Sequence, residues 1–444
     1  MSVTAPSLRR ALLRGSAWTL ITLVLTQLIR FGRSVILTRL LSPSVYGVMV
    51  IVWAIITSIG LLSDVGFSPC VVRSPRGEDP DFLNTAWTMK SIRGILVFIV
   101  ALAVAYPASL IYKQRSLTAL IAVTAVCALI DGLGSTNAFT VERRMIYRRI
   151  SLLRLANEIF GPLITIIWAV FDPSPWAMVA GGISGAVFLT LGTHRFLPGI
   201  RNRFQWDKAA VAEIKHFGRW IFLSSGVYVL YSQGDRLLTG AYIDPATLGV
   251  FGIAATLGTA ISGTINNLTD SVVFPALSQT IGLGAARLKE VLYKTRLVTD
   301  ALVITPTAIL AITGNLLVQS IYDPRYHEAG WMFQLLCIRL IVLAMIAGGA
   351  SSLMALGHTK YAFLQNLCRG LWIVIGIPLG WKLCGLRGIL LALALSEFPV
   401  CLVTWRAMAK YGLLSVKLEA RSLLFALAGV AIGYGVLGVV HAWL

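Results

Sequence analysis

Charged side chains are scarce in this sequence. They make up 13% of its 444 residues, whereas 57% of the residues are hydrophobic. Soluble domains carry roughly 25% charged residues, so the composition excludes an ordinary soluble globular protein. The alternation of hydrophobic and polar residues that is typical of transmembrane β-strands is also missing. The sequence therefore predicts an all-α, polytopic membrane protein.

Motifs of catalysis and of cofactor binding are missing as well. The six cysteines form no C-x-x-C pair, the five histidines lack the spacing of metal ligands, and there is no Walker or G-x-S-x-G motif. The D-P-D sequence at 79–81 matches the D-x-D of glycosyltransferases, but no nucleotide-binding domain surrounds it. No connection between hydrophobic segments has the length of a soluble domain. We therefore expect no enzyme activity, no catalytic residues, no metal site and no cofactor.

Long hydrophobic segments recur along the whole chain, each close to the ~20 residues that a helix needs to cross a membrane. Many of them begin or end at proline, glycine or a charge cluster. The predicted spans are 16–38, 46–66, 91–112, 117–138, 151–171, 175–194, 217–240, 246–267, 293–321, 329–356, 361–382, 385–407 and 421–443. We expect about thirteen transmembrane helices, within a range of twelve to fourteen.

The basic residues indicate how the chain is oriented in the membrane. The formal net charge is +19, and the basic residues concentrate in alternate connections, above all at 142–149 and 195–208. Positive charge marks the cytoplasmic side of membrane proteins. This pattern predicts a cytoplasmic N-terminus and, with thirteen spans, a C-terminus on the outside. It also explains the positive charge without nucleic acid as a partner.

An internal repeat divides the chain. Residues 18–48 align without a gap to residues 220–250, with matching Trp, Gly, Pro, Gly and Val positions. We therefore predict a six-helix lobe at 1–206, a second at 207–412 and an additional helix at 413–444. Because each lobe holds an even number of spans, a pseudo-two-fold axis along the membrane normal should relate them, as in some transporters.

Polar residues line one face of the first span and one face of its repeat. In the first span, Thr26, Gln27, Arg30 and Arg33 share a helical face, together with Ser16 and Thr19. The seventh span carries Tyr228, Tyr231, Asp235 and Arg236. Such a stripe cannot face lipid. Either the two stripes line a cavity that contacts substrate, or Arg33 and Asp235 form a structural ion pair between the lobes.

Further ionisable residues lie within the predicted spans or at their ends. They are Asp64, Asp131, Glu158, Asp300, Arg339, Arg369 and Glu397. Each could bind an ion, contact substrate or tie two helices together. Asp131, Glu158 and Asp300 are the candidates for ion coupling, with Asp235. The arginines of the first span favour an anionic substrate, because a guanidinium binds phosphate through two parallel hydrogen bonds.

The sequences "LTRLLSPSVYGVMVI" (37–51) and "GDRLLTGAYIDPATLGVFGIA" (234–254) carry a family resemblance. They are similar to Wzx-type flippases of the polysaccharide transporter family, in the colanic-acid and exopolysaccharide exporter branch. Their superfamily includes the MATE exporters and the lipid II flippase. The residues that match as family markers are Arg39, Pro43, Tyr46 and Gly47, with Asn84 and Thr85 in the similar stretch 64–94 and Pro275 and Ser278 in "VVFPALSQ" (272–279).

The resemblance implies two lobes in a V around a central cavity of a bacterial inner-membrane protein. It implies translocation of a polyprenyl-diphosphate-linked oligosaccharide, such as an exopolysaccharide, O-antigen or capsule repeat unit, to the periplasmic leaflet. Translocation would proceed by alternating access, and an ion gradient would supply the energy. Expected partners are this lipid-linked oligosaccharide and membrane lipids, with a polysaccharide polymerase and a chain-length regulator as further candidates. The alternatives are a MATE-like small-molecule antiporter, a membrane-embedded polymerase or ligase, and a passive scaffold.

Overall fold

The computed structural model describes residue 22 and residues 25–443. The start of the first predicted span lies outside this range, and with it Ser16, Trp18 and Thr19. The described chain is helical with short connections and holds no β-strand. The all-α prediction is confirmed, and the structure is that of a multi-pass membrane protein.

Nineteen α-helices follow one another along the described part of the chain. They are α1 (25–40), α2 (Pro43–Leu62), α3 (Phe67–Arg73), α4 (Pro80–Ile111), α5 (Ser116–Thr124), α6 (Val126–Gly132), α7 (Asn137–Arg143), α8 (Tyr147–Phe171), α9 (Pro175–Arg195), α10 (Lys208–Ser232), α11 (Gly234–Tyr242), α12 (Pro245–Leu268), α13 (Phe274–Ser278), α14 (Ala285–Thr299), α15 (Thr305–Ile321), α16 (Ala329–Ala355), α17 (Lys360–Ala394), α18 (Phe398–Lys410) and α19 (Val416–Trp443). Short π-helical segments, Thr269–Val273 and Asp300–Ile304, precede α13 and α15.

The helix starts follow local sequence rules. Pro43 and Pro245, which the repeat aligns, are the first residues of α2 and α12. Proline suits this position because its missing N–H would have no helical partner there. Asp244 caps α12 by accepting a hydrogen bond from the Thr247 N–H at 3.0 Å. Both α2 and α12 therefore begin with proline, but only α12 has a side-chain cap.

Nine helical segments within residues 25–443 are long and apolar enough to cross a membrane, and the bent pair formed by Ser116–Gly132 and Asn137–Arg143 could be a tenth. Two predicted spans, 361–382 and 385–407, fall together in the segment Lys360–Lys410. The first predicted span begins outside the described residues. The seventh is interrupted at Gln233, between α10 and α11.

The chain reverses within α17. Cys384 and Gly385 have non-helical backbone angles, and Gly385 has a φ of +57° that favours glycine. On either side of this reversal Trp372 Nε1 donates to the Ala392 carbonyl at 2.8 Å. A Cβ on Gly380 or Gly388 would overlap the backbone of the other. Residues 360–394 therefore form an antiparallel hairpin, at the break that the sequence predicts between two spans.

The last helix, α19, runs parallel to α14 and α15. Ser422 contacts Asp300, and a Cβ on Gly429 would lie 2.7 Å from the Ala308 side chain. The sequence separation is nearly the same for Asp300 and Ser422 as for Ala308 and Gly429. A constant separation along two packed helices shows that they run in the same direction. Parallel packing requires an even number of membrane crossings between their starting points. The predicted ninth and thirteenth spans meet this requirement.

The chain forms two compact units, Met1–Gly226 and Val227–Leu444, called unit 1 and unit 2 below. The division lies within α10, later than the predicted lobe boundary at 206. One reason is that Ala210 and Ile214 of α10 are fully buried against Phe67 and Phe82 of unit 1. The connection 196–207 and the start of α10 are thus part of the core of unit 1.

Candidate functional site

Arg30 of the polar stripe pairs with a carboxylate on another helix of unit 1. Its Nε donates to Glu158 Oε2 on α8 at 3.1 Å, and its Nη2 donates to Glu158 Oε1. The pair is only partly covered, since 48% of the Arg30 side chain and 20% of the Glu158 side chain are exposed. Two residues that the sequence analysis assigned to different roles, substrate binding and ion coupling, are therefore in direct contact.

Arg33 lies one turn further along α1 and is half-buried, as are Thr26 and Gln27. Its charge acts on the hydroxyl of Tyr46, which is hydrogen-bonded to Ser34. Among the described residues of unit 1, Arg33 has no carboxylate at ion-pair distance. Among the described residues of unit 1, the Arg30 charge is thus balanced and the Arg33 charge is not.

Asp235 of unit 2 belongs to a cluster of four charged side chains, called the Glu397 cluster here: Asp235, Arg339, Glu397 and Arg369. Glu397 is completely buried and accepts hydrogen bonds from Arg369 Nε at 2.7 Å and from Arg369 Nη2 at 2.6 Å. Arg339 lies between the two carboxylates, 3.5 Å from Glu397 and 3.8 Å from Asp235. With two arginines and two carboxylates, the cluster has no formal net charge.

The predicted tyrosines lie against this cluster. The Arg369 guanidinium lies over the Tyr231 ring, 4.3 Å from its centroid, which is a cation–π contact. Tyr228 contacts Tyr231 edge to face, with ring centroids 5.9 Å apart. Tyr228 remains 45% exposed. Arg236 follows Asp235, and its backbone N–H donates to the Asp235 carboxylate at 2.8 Å. The structure thus brings Tyr228, Tyr231, Asp235 and Arg236 into one region of unit 2.

Asp300, a predicted ion-coupling residue, is part of a second buried network in unit 2. It lies 3.9 Å from Arg296, and Ser422 of α19 donates to its carboxylate at 2.5 Å. Arg296 also pairs with Glu419 of α19 at 2.5 Å. All four side chains are buried. This network fastens α19 to α14, a contact that the sequence analysis missed because it did not consider Arg296 or Glu419.

Asp131, the remaining coupling candidate, lies at the end of α6 in unit 1. The charges of Lys90 and Arg93, both on α4, act on it. Lys90 itself donates to the Gly134 carbonyl at 2.8 Å, and Arg93 donates to the Gly60 carbonyl at 2.6 Å. In the chain that the structure describes, no group of three or more His, Cys, Asp or Glu side chains could hold a metal ion.

Two of the family markers hold the connection between α9 and α10. The backbone N–H groups of residues 203, 205 and 207 donate to the side chains of Asn84, Thr88 and Thr85, each at 3.0 Å. Every second amide from residue 203 to residue 207 is therefore fixed to α4. The sequence marked Asn84 and Thr85 by resemblance only, because their role depends on where the connection lies in three dimensions.

An ion pair at the surface completes this attachment. Arg76 Nη2 donates to Asp207 at 2.8 Å and to Asp79 at 2.9 Å. The hydrogen bond from Arg76 lowers the pKa of the Asp207 carboxyl below its ordinary value, and the bond from the backbone of Ala209 acts in the same direction. The Asp207 side chain is therefore held as a carboxylate at the start of α10.

Comparison with known proteins identifies the family to which this chain belongs. Residues 36–330 match the family model described as "Polysaccharide biosynthesis protein". Among curated relatives, the lipopolysaccharide biosynthesis protein WzxC of Escherichia coli (strain K12) is 19% identical over 409 residues, which are 91% of this chain and 82% of that protein.

Solved structures share the fold. The lipid II flippase MurJ in an inward closed conformation is similar with a TM-score of 0.73 at 12% identity, covering 96% of this chain and 93% of that one. An inward-facing multidrug resistance transporter of the MATE family, in the MOP superfamily, is similar with a TM-score of 0.63 at 13% identity, covering 87% and 95%. At these identities the similarities establish the fold alone. The family model spans well over half of the chain and confirms the family predicted from the motifs: this protein belongs to the polysaccharide biosynthesis protein family.

Proposed function

We propose that this protein is a flippase that moves a polyprenyl-diphosphate-linked oligosaccharide from the cytoplasmic to the periplasmic leaflet of a bacterial inner membrane. The observation that carries the proposal is the family match over residues 36–330 together with the fold of a lipid II flippase over nearly the whole chain. Charged side chains within the helical bundles of both units support a polar cargo, since such residues are costly in lipid and mark transport pathways.

The Arg33 guanidinium is the proposed contact for the pyrophosphate or for acidic sugars. It is half-buried on α1 and has no counter-charge among the described residues of its unit, so it can pair with a phosphate oxygen. Arg30, Thr26 and Gln27 extend this polar face, although Glu158 already balances the charge of Arg30.

In unit 2, Tyr228 and Tyr231 are proposed to contact the glycan, with Arg236 beside them. An ion gradient is the proposed energy source, with Asp235, Asp131, Glu158 and Asp300 as candidate coupling residues. Within unit 2, Asp235 is favoured over Asp300, because its only ion pair within the described residues is the long contact to Arg339. Asp300 is held by a serine and an arginine in the network that fastens α19.

The N-terminus is proposed to be cytoplasmic, from the distribution of basic residues. The protein acts as a transporter and not as an enzyme, and it supplies lipid-linked repeat units to a polysaccharide polymerase and its chain-length regulator. A cysteine-accessibility experiment tests the orientation: a cysteine introduced in the basic segment 142–149 should react with a membrane-impermeant thiol reagent only after the cells are opened.

Deletion of the gene tests the function itself. The deletion strain should lack the surface polysaccharide and accumulate the lipid-linked oligosaccharide in the cytoplasmic leaflet. Expression of the wild-type protein should reverse both effects. Normal surface polysaccharide in the deletion strain would contradict the proposal.

A MATE-like small-molecule antiporter is the second candidate, favoured by the similarity of the fold to a multidrug transporter. It predicts increased drug sensitivity of the deletion strain together with normal surface polysaccharide. A membrane polymerase or ligase instead predicts lipid-linked oligosaccharide that has reached the periplasmic leaflet and remains unpolymerised there.

A further inference from the structure

Glu397 supports an aromatic side chain that it does not itself touch. It is completely buried and binds Arg369 through both carboxylate oxygens. Arg369, in turn, is 6% exposed and lies over the Tyr231 ring. A planar guanidinium held at two points has a fixed orientation, and a ring stacked on it shares that orientation.

The chain of contacts leads from the interior of unit 2 to its surface. Tyr231 is half-buried, and its edge-to-face partner Tyr228 is 45% exposed. Aromatic rings prefer this edge-to-face geometry, in which the positive edge of one ring meets the negative face of the other. Fixing Tyr231 therefore also restricts Tyr228, which offers a ring and a hydroxyl at the surface.

We infer that Glu397 and Arg369 are positioning residues for glycan recognition: the buried ion pair holds Tyr231, and through it Tyr228, as a rigid aromatic platform for the sugars of the cargo. The inference deepens the proposed flippase function and rests on it. A fixed aromatic platform binds more tightly than a mobile one, because less side-chain entropy is lost when the ligand arrives. Arg339 lies 3.5 Å from the Glu397 oxygen that also accepts from Arg369 Nε, and Asp235 is its second partner.

A charge-neutral double variant separates positioning from folding. Removing one partner of a buried ion pair leaves an unpaired charge, whereas replacing both partners with apolar residues of similar volume is often neutral for stability. Glu397→Leu combined with Arg369→Met removes one charge of each sign and leaves Arg339 paired with Asp235. Arg369→Lys is a second variant, which keeps the charge but loses the planar group over Tyr231.

The matched control links α17 to α18, as the Arg369–Glu397 pair links α17 to the residue that precedes α18. Gln365 of α17 donates to Thr404 of α18 at 2.8 Å, and both side chains are buried. Gln365→Leu combined with Thr404→Val removes this polar contact between the same helices without a contact to Tyr231. The control should fold and transport as the wild-type protein does.

The test uses full-length protein in liposomes and two probes: the oligosaccharide on polyprenyl diphosphate isolated from the deletion strain, and polyprenyl diphosphate carrying a single sugar. The double variant, Arg369→Lys and Tyr231→Ala should each raise the half-saturating concentration of the oligosaccharide probe about three- to tenfold, the size of one lost cation–π contact. The single-sugar probe should be nearly unaffected. Adding the double change to Tyr231→Ala should produce little further loss, because both act through one ring.

The outcomes distinguish this inference from the function on which it rests. Wild-type protein that moves neither probe contradicts the flippase proposal. If the wild type moves both probes and the variants slow both equally, or if their effects add to that of Tyr231→Ala, the positioning role is wrong. If the double variant does not fold, Arg369→Lys tests the positioning role instead, and the same outcomes support or contradict it.

Discussion

The two units place their charged side chains differently. In unit 1 the Arg30–Glu158 pair is half-exposed, and Arg33 beside it has no counter-charge within the described residues of that unit. In unit 2 the Glu397 cluster is largely covered, and its four charges balance. The repeat aligns Arg33 with Asp235. Matching positions thus carry a cation in one copy and an anion in the other, and among the described residues only the anion belongs to a balanced cluster within its own unit.

The largest expected effect is a loss of stability when the buried Glu397 cluster of unit 2 is changed. Glu397→Gln preserves the volume but leaves Arg369 without a counter-charge in a covered site, which should cost about 3–5 kcal/mol of unfolding free energy. Glu158→Gln changes a half-exposed pair and should cost about 1 kcal/mol or less. Denaturant unfolding of both variants in the same detergent measures the difference. Equal losses would remove the contrast between the units.

The second prediction concerns the arginines of α1. Arg33→Ala should lower polysaccharide export about tenfold, because a hydrogen bond between a charged group and its partner contributes roughly 1.5 kcal/mol or more. Arg30→Ala should have a smaller effect, since Glu158 already occupies its guanidinium. Export is measured at matched protein level.

The lysine variants are the controls for charge. Arg33→Lys should retain more export than Arg33→Ala, because an ammonium still attracts phosphate although it cannot bind it through a planar pair of donors. If export survives both alanine substitutions at normal protein level, α1 does not bind the anion.

The fold could be predicted because its signals are local. Hydrophobic runs of about 20 residues mark membrane-spanning helices. Prolines at the first helical position mark where α2 and α12 begin. The reversal at Gly385 also lies where the sequence separates two spans. None of these features depends on distant parts of the chain.

The pairing of the charged residues could not be predicted, because it depends on how helices pack. Arg30 and Glu158 are 128 residues apart, and the sequence around either residue does not indicate that the two are in contact. The contact between Arg296 and Asp300 spans one helical turn and could have been found by spacing. Glu419 could not, since it reaches that pair only through the packing of α19. Which of these residues contact substrate remains a prediction.

A third prediction tests the neutral hydrogen bonds on which unit 1 relies. Asn84→Ala or Thr88→Val should each cost about 1 kcal/mol, because each removes the acceptor of a backbone amide in the connection. The connection should then be cut faster by trypsin at the exposed Arg201 and Arg203. Thr256→Val is the control in unit 2, since its hydroxyl donates to the Gly252 carbonyl of its own helix. Equal cleavage of all variants would show that these side chains do not hold the connection.

The smallest effect should follow from pH at the Arg76–Asp207 pair. Because Arg76 lowers the folded-state pKa of Asp207, the pair stabilises the fold above the ordinary Asp pKa of about 3.9, and this contribution is lost as the pH falls through the lower folded value. The difference in unfolding temperature between wild type and Arg76→Gln, measured at low salt from pH 6 to pH 2, should therefore shrink on acidification. Asp207→Asn should reduce that pH dependence to what Asp79, the second partner of Arg76, contributes. Since the pair is exposed, salt should weaken the effect. A difference that grows at low pH would mean that Arg76 stabilises unit 1 through something other than this carboxylate.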